Sequence, residues 1–262
     1  MSEDLSRDDP DAAARLADAA RAVASVFGGR RGEAWGDALP HHPHQTKAMG
    51  WQEVERLHER PKHLPVDALD WEEVHYFFSH AGYTMQPAKT LPAAIAYFLP
   101  RLAAFTVPPD EPACFGTLVI GEHLGEVAWQ HWKAVESKTI RGWLIAWANA
   151  AIRCRYLGWN GDNAWSIYEP LNNRDPMPVL DIVARAGLSS HTLHELFGRI
   201  SDEQVVRLAA HALIGPDRAL YDAAYVVLDP WLATEATREA LLRAALADRP
   251  WSATANLLLS TL

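Results

Sequence analysis

Cysteine is scarce in this sequence, and long apolar runs are missing from it. Only Cys114 and Cys154 occur among the 262 residues, which is too few for a disulfide framework, so we expect reduced thiols. Residues 1–5 are polar and acidic, which does not fit a signal peptide. The longest apolar stretch, residues 142–152, is too short to span a bilayer. These absences predict a cytoplasmic protein without a membrane partner.

Positive charge is also in deficit. The chain carries 24 Lys and Arg against 33 Asp and Glu, which gives a formal net charge of -9. A surface of this sign repels nucleic-acid phosphates and anionic lipid, and it attracts basic proteins. We therefore expect a basic protein partner and no nucleic-acid partner, while self-association into a homo-oligomer stays open.

Sequence signatures of catalysis are missing as well. The chain contains no Gly-x-Ser-x-Gly, no phosphate-binding loop and no dinucleotide fingerprint. Cys114 is a candidate nucleophile, but a reactive thiol needs a cation or a helix N-terminus beside it, which the sequence does not indicate. The sequence therefore favours a protein without catalysis or a cofactor, and it leaves an enzyme open.

Tryptophan, by contrast, is abundant. Nine of the 11 Trp lie between Trp35 and Trp165, and nine of the 12 His lie between His41 and His131. Indole rings bury large apolar areas, so this region is expected to be a packed, aromatic-rich domain. An aromatic pocket with a few His also suits a small-molecule or metal site. An enzyme or ligand-binding protein with its site in this region is therefore the alternative function.

The pattern of apolar residues, Gly and Pro predicts an all-α fold in two domains. Residues 1–165 are expected to form an aromatic- and His-rich helical domain. Residues 166–262 read as a HEAT-like or irregular array of short helical hairpins. Its helices are expected near residues 177–186, 191–199, 202–213, 217–228, 233–247 and 251–261.

A weak internal similarity in the second domain supports the array. Ala212-Leu213 before Pro216 resembles Ala245-Leu246 before Pro250, which indicates a repeat of 33 to 34 residues. An ordinary irregular bundle explains the same residues, because alanine-rich helices align easily with one another. Both architectures stay open.

Local signals fix several helix starts. Asp70 with Glu73, and Ser201 with Gln204, have the spacing of capping boxes. The clearest helix is expected over residues 137–156. Its buried stripe would contain Ile140, Trp143, Leu144, Trp147, Ala151 and Ile152.

Proline is expected to interrupt other helices. Pro61 and Pro65 should stop a helix that runs from about residue 46 to residue 60, and Pro230 should separate two helices of the second domain. Pro100 should kink or break the helix that opens at residues 90–92.

Two Glu–His pairs are candidate metal ligands. Glu55 with His58, and Glu72 with His75, are each three residues apart, which places both side chains on one helix face. Two such pairs with two further Glu would build a di-iron site in a four-helix bundle. Chance also yields such pairs in a chain this rich in Glu and His. Three further histidines in a predicted loop, His41, His42 and His44, lack the additional ligands of a structural zinc site.

A pair of histidines in the second domain does not match the zinc-protease motif. His191 and His194 are three residues apart, whereas the zinc-protease helix needs two His four apart with Glu between them. They are therefore not expected to bind zinc.

A polar loop flanked by tryptophans is the candidate partner-binding segment. Rigid indoles beside polar donors make good interaction hot spots, although a linker held by two buried indoles fits equally well. The candidate residues are Trp159, Asn160, Asp162, Asn163 and Trp165.

Residues 65–155 resemble an uncharacterised family of bacterial helical proteins. The motif is aromatic-x-Leu-Pro inside a helix, here Tyr97-Phe98-Leu99-Pro100, followed by a helix with a Trp-rich start, here residues 129–132 and the helix after Ser137. Arg101 departs from the family, which usually has a small residue at that position. No activity is assigned to the family, so the resemblance implies only a compact helical fold.

The sequence thus favours a protein-binding module over an enzyme. The hypothesis is a cytoplasmic immunity- or antitoxin-like protein that inhibits a basic partner, because acidic inhibitors of basic toxins associate fast through complementary charge.

Overall fold

The computed structural model describes residues 10–30, 50–78, 90–107, 118–153, 176–214 and 218–262. These residues contain helices and connections and no strand, which confirms the all-α prediction. The described α-helices are α1 (Pro10–Phe27), α2 (Trp51–His63), α3 (Trp71–Tyr76), α4 (Leu91–Phe105), α5 (Leu118–Glu126), α6 (Ala134–Arg153), α7 (Met177–Arg185), α8 (Ser190–Phe197), α9 (Asp202–Ile214), α10 (Asp222–Leu232), α11 (Glu235–Leu246) and α12 (Ser252–Leu259). Short 3₁₀ helices lie at Val66–Ala68 and Trp129–His131.

The chain divides into two compact units. One is Arg15–Leu144, and the other is Ile145–Leu262 together with Met1–Ala14, so the division falls within α6. We call them the N-terminal unit and the C-terminal unit. The boundary predicted at residues 165/166 lies outside the described residues and stays a prediction.

Aromatic side chains fill the core of the N-terminal unit. Phe98 of α4 stacks on Phe77 with ring centroids 4.3 Å apart, and Phe78 packs edge-on against Phe77. Trp143 of α6 is fully buried, and its indole Nε1 donates to the hydroxyl of Thr106 over 3.2 Å. All six residues of the apolar stripe predicted for α6, including Trp143, are buried.

The start of α3 is fixed by the predicted capping box. The Asp70 carboxylate accepts from the backbone N–H of Glu73 over 3.0 Å, and the Glu73 carboxylate accepts from that of Asp70 over 2.9 Å. Glu73 is fully buried, and Arg60 Nε of α2 lies 3.1 Å from its second carboxylate oxygen. That contact is an ion pair without hydrogen-bond geometry. The charge on Glu73 therefore joins α2 to α3.

Among the described residues, three prolines lie in helix interiors beyond the first turn. The prediction for Pro61 is wrong, because α2 continues through it to His63 and ends just before Pro65, the second predicted stop. The prediction that Pro230 separates two helices is also wrong, and α4 runs unbroken through Pro100. A proline inside a helix costs about 3 kcal/mol through a lost hydrogen bond and a steric clash. At Pro100 and Pro230, burial of neighbouring apolar residues offsets that cost. In α10 the residues after Pro230, Trp231 and Leu232, are both buried.

The C-terminal unit contains α7 to α12, together with the end of α6 and the start of α1. Helix α10 packs against α7 and α8, whereas α9 packs against α11 and α12. The capping box of Ser201 and Gln204 is present at the start of α9, with bonds of 3.0 and 3.3 Å. The other helices of this unit occur within a few residues of their expected bounds. Helix α10, expected at residues 217–228, instead lies at Asp222–Leu232. A repeat of 33 to 34 residues stays a prediction.

Candidate interaction surface on helix α10

Helix α10 begins with a cap supplied from another helix. Its N-cap residue, Tyr221, makes no side-chain capping bond. The carboxylate of Asp181 on α7 instead accepts a hydrogen bond from the backbone N–H of Ala224, over 3.1 Å. Ala224 is the third helical residue, whose N–H an N-cap side chain would normally bind. Asp181 therefore substitutes for a local cap and fixes where α10 starts.

Arg185 connects this buried carboxylate to the surface. Asp181 is fully buried, and Arg185 Nε donates to its Oδ2 over 2.5 Å. The same guanidinium donates to Asp222, the first residue of α10. Burial raises the pKa of Asp181, while the bonds from Arg185 and Ala224 act in the opposite direction. The three side chains hold the first turn of α10 against α7.

Helix α8 and the start of α11 hold the rest of α10. The His194 ring lies with Nε2 2.8 Å from the carbonyl oxygen of Val227, and Phe197 packs on Trp231 with ring centroids 5.2 Å apart. The hydroxyls of Thr234 and Thr237 both donate to the carbonyl oxygen of Trp231. The inner face of α10 is therefore fixed along its length.

The outer face of α10 combines an apolar side chain with two carboxylates. Asp222, Val226, Asp229 and Pro230 recur at helical spacing and are all exposed. Val226 is 70% exposed, and it lies one turn from each aspartate. We call these four residues the α10 surface.

Arginines orient both carboxylates of the α10 surface. Asp222 pairs with Arg185, and Asp229 pairs with Arg218. The Arg218 guanidinium also lies over the Tyr225 ring, 4.2 Å from its centroid. Both aspartates stay mostly exposed, so they remain open to a second cation. An apolar centre with fixed carboxylates on either side complements an apolar pocket edged by Lys or Arg.

The candidate metal ligands are only partly described. Glu72 extends to Arg56, whose Nη2 donates to it over 3.1 Å, and the His75 ring lies 5.5 Å from that of Trp71. The side chains of Glu55 and His58 lie outside the described part of the structure. In the part that is described, no group of three or more His, Cys, Asp or Glu could hold a metal ion.

The structure describes His191 and His194, which the sequence does not predict to bind zinc. His191 is exposed beside Glu195, whereas His194 turns inward to Val227, so the two rings have different neighbours. The candidate partner-binding loop, the His41–His44 region and Cys114 lie outside the described residues. The candidate loop residues Trp159, Asn160, Asp162, Asn163 and Trp165 stay a prediction.

None of the tryptophan side chains that the structure describes is exposed. Trp129, Trp143, Trp147 and Trp231 are buried, and the other described indoles are half-buried. Sequence reasoning missed Val226 as an exposed apolar residue. The spacing Asp222, Val226 and Asp229 could have revealed it, because it places an apolar residue on an acidic helix face.

Comparison with protein-family models, with curated proteins and with solved structures gives no match. The resemblance of residues 65–155 to a bacterial helical family therefore stays an expectation. In the helices that the structure describes, none has the length and apolar character needed to cross a membrane.

Proposed function

We propose that this chain is a cytoplasmic protein-binding module of the immunity or antitoxin kind, which inhibits a basic partner protein. The observation that carries the proposal is the α10 surface, in which the exposed Val226 lies between Asp222 and Asp229. Apolar anchors of this kind lose water on binding and supply affinity, and the flanking carboxylates select a basic partner.

The net charge of -9 supports the same class of partner. A basic protein would be attracted before contact, which raises the association rate at low salt. The contact itself would place Lys or Arg beside Asp222 and Asp229, where each carboxylate already has one guanidinium. Since that guanidinium orients the carboxylate in the free protein, little side-chain entropy is lost on binding.

The test measures association with the protein encoded beside this chain in its native host. We expect a stable complex whose association rate falls as salt rises, and a lower, less salt-dependent rate for Asp222→Asn combined with Asp229→Asn. Asp18→Asn combined with Glu59→Gln is the matched control, because these exposed carboxylates also pair with cations. No specific complex, or equal effects of both double variants, would contradict the proposal.

A further inference from the structure

Pro230 leaves one backbone acceptor of α10 without its usual helical partner. A residue in an α-helix donates its N–H to the carbonyl oxygen four residues earlier, and proline has no N–H. Helix α10 continues through Pro230 to Leu232, so the carbonyl oxygen of Val226 does not receive this bond. An acceptor that has lost its partner needs a donor from elsewhere.

The next carbonyl along α10 receives an additional donor from within the fold. The carbonyl oxygen of Val227, a buried residue, lies 2.8 Å from Nε2 of His194 on α8. Because a carbonyl oxygen only accepts, Nε2 carries the proton and donates. Val226, in contrast, is mostly exposed, and Pro230 is exposed one turn further along. We therefore place the Val226 carbonyl on the open side of α10, where a donor from outside the chain can reach it.

We infer that the Val226 carbonyl and the Asp229 carboxylate together bind the ammonium group of a lysine. In a helix, a side chain lies beside the carbonyl three or four residues before it, which is where Ser and Thr hydroxyls bond back to the backbone. Arg218 already pairs with Oδ2 of Asp229, so one oxygen of that carboxylate remains. An ammonium has three donors on one atom, so it can bridge acceptors of two different groups.

The surroundings of these acceptors favour lysine over arginine. A guanidinium binds best when its fork meets both oxygens of one carboxylate, and Arg218 already occupies one oxygen of Asp229. The aliphatic stem of a lysine can also lie along the exposed side chains of Val226 and Pro230. The inference rests on the proposed function, because it names the group of the basic partner that the α10 surface binds.

Carbonyl chemical shifts of the full chain test the inference without the partner. Labelling valine with ¹³C at the carbonyl and ¹⁵N at the amide selects Val–Val peptide bonds, of which the chain has two. One joins Val226 to Val227, and the other joins Val205 to Val206. Val205 and Val206 are buried inside α9. The Val226 carbonyl is therefore the test signal, and the Val205 carbonyl is the internal control.

The probe is Nα-acetyl-lysine amide, titrated to tens of millimolar because a single contact of this kind is weak. The Val226 carbonyl signal should move and approach saturation, while the Val205 signal stays in place. The Nε-trimethyl form of the probe has the same charge but no N–H on that nitrogen, so it should move the Val226 signal far less. Nα-acetyl-arginine amide should bind more weakly than the lysine probe.

Pro230→Ala supplies the missing N–H within the helix. This variant should have a higher midpoint of urea unfolding, because α10 gains a hydrogen bond and loses a steric clash. The response of its Val226 carbonyl to the lysine probe should fall to that of the trimethyl probe. Pro61→Ala is the matched control, because Pro61 also lies inside a helix, and it should leave the response unchanged. A gain in stability with a loss of binding excludes misfolding as the cause.

Three results would overturn the inference. They are a Val226 signal that does not move, equal movements with the lysine and trimethyl-lysine probes, and a full response in Pro230→Ala. Failure of the proposed function gives a different result. If the partner complex forms but the Val226 signal does not respond to the probe, only the lysine site is wrong. If the Val226 signal responds but no specific partner complex forms, the lysine site stands and the inhibitor function is wrong.

Discussion

The carboxylate of Asp181 caps a helix that begins 41 residues further along the chain, through a 3.1 Å hydrogen bond from the backbone N–H of Ala224. This bond is why α10 starts at Asp222 with no cap of its own. It also couples the position of the α10 surface to α7. Substitutions of Asp181 therefore test how the candidate surface is held.

Asp181→Ala should lower the free energy of unfolding by about 2 kcal/mol, because it leaves the Ala224 N–H and part of Arg185 without a buried acceptor. Asp181→Asn should cost less, about 1 kcal/mol or below, since an amide oxygen can still accept from Ala224. Urea unfolding of the three proteins at neutral pH measures both values. Equal losses for the two variants would show that the capping bond does not contribute.

The contribution of Asp181 to the free energy of unfolding depends on pH in a defined direction. Burial raises the pKa of Asp181, so the folded chain binds this proton more tightly than the unfolded chain does. The resulting stabilisation is present below the ordinary carboxyl pKa of about 4 and is lost as pH rises through the raised value. The unfolding free energy of the wild type, relative to Asp181→Asn, should therefore be larger at low pH. A difference that grows as pH rises would mean that the fold favours the ionised carboxyl.

Tyr97 joins α4 to the end of α2. Its hydroxyl donates to the carbonyl oxygen of Pro61 over 2.7 Å and lies 2.9 Å from that of Leu64. Tyr97→Phe should lower the free energy of unfolding by about 1 kcal/mol, the usual net value of one hydrogen bond. An unchanged value in urea unfolding would mean that water replaces the hydroxyl without loss.

The ionisation of Tyr97 gives a second measurement. Burial, with smaller contributions from the charges of Glu73 and Asp67, raises the pKa of Tyr97 to about 12. Its stabilising contribution should be lost as pH rises from the ordinary tyrosine value of about 10 towards that value. Burial also raises the pKa of Tyr76, so ultraviolet titration should show late-ionising tyrosines, one fewer of them in Tyr97→Phe. Titration curves that differ only at the ordinary tyrosine value would contradict the buried position.

Trp143→Ala should lower the free energy of unfolding by about 3–5 kcal/mol, the usual range for emptying a buried aromatic site. Trp143→Phe is the control, because it keeps a six-membered aromatic ring and removes only the pyrrole part of the indole with its hydrogen bond to Thr106. It should cost clearly less than the alanine variant. A loss below about 1 kcal/mol for alanine would mean that this face of α6 is exposed.

The sequence predicted those parts of the fold that depend on near neighbours. The capping boxes at Asp70 and Ser201 could be predicted because donor and acceptor are three residues apart. Pro230 was misjudged because its cost is local, whereas the compensation comes from burial of Trp231 against Phe197 of another helix. Rules based on residue spacing do not include this stabilisation by a residue from another helix.

The α10 surface depends still more on contacts between residues that are far apart in the sequence. The bond between Asp181 and Ala224 joins residues 43 apart, and no spacing rule connects them. Val226 is exposed only because α7 and α8 cover the opposite face of α10. The periodicity of α10 shows that it is amphipathic, but not that an apolar residue remains on its open face.

The most direct test of the central claim compares two valines. Val226 lies on the α10 surface, and Val135 is a similarly exposed valine of the N-terminal unit. Val226→Ser should weaken binding of the proposed basic partner about tenfold or more, whereas Val135→Ser should leave it unchanged. Titration calorimetry with each purified variant measures both constants. Undiminished binding by Val226→Ser, or equal losses in the two variants, would contradict the claim that α10 binds the partner.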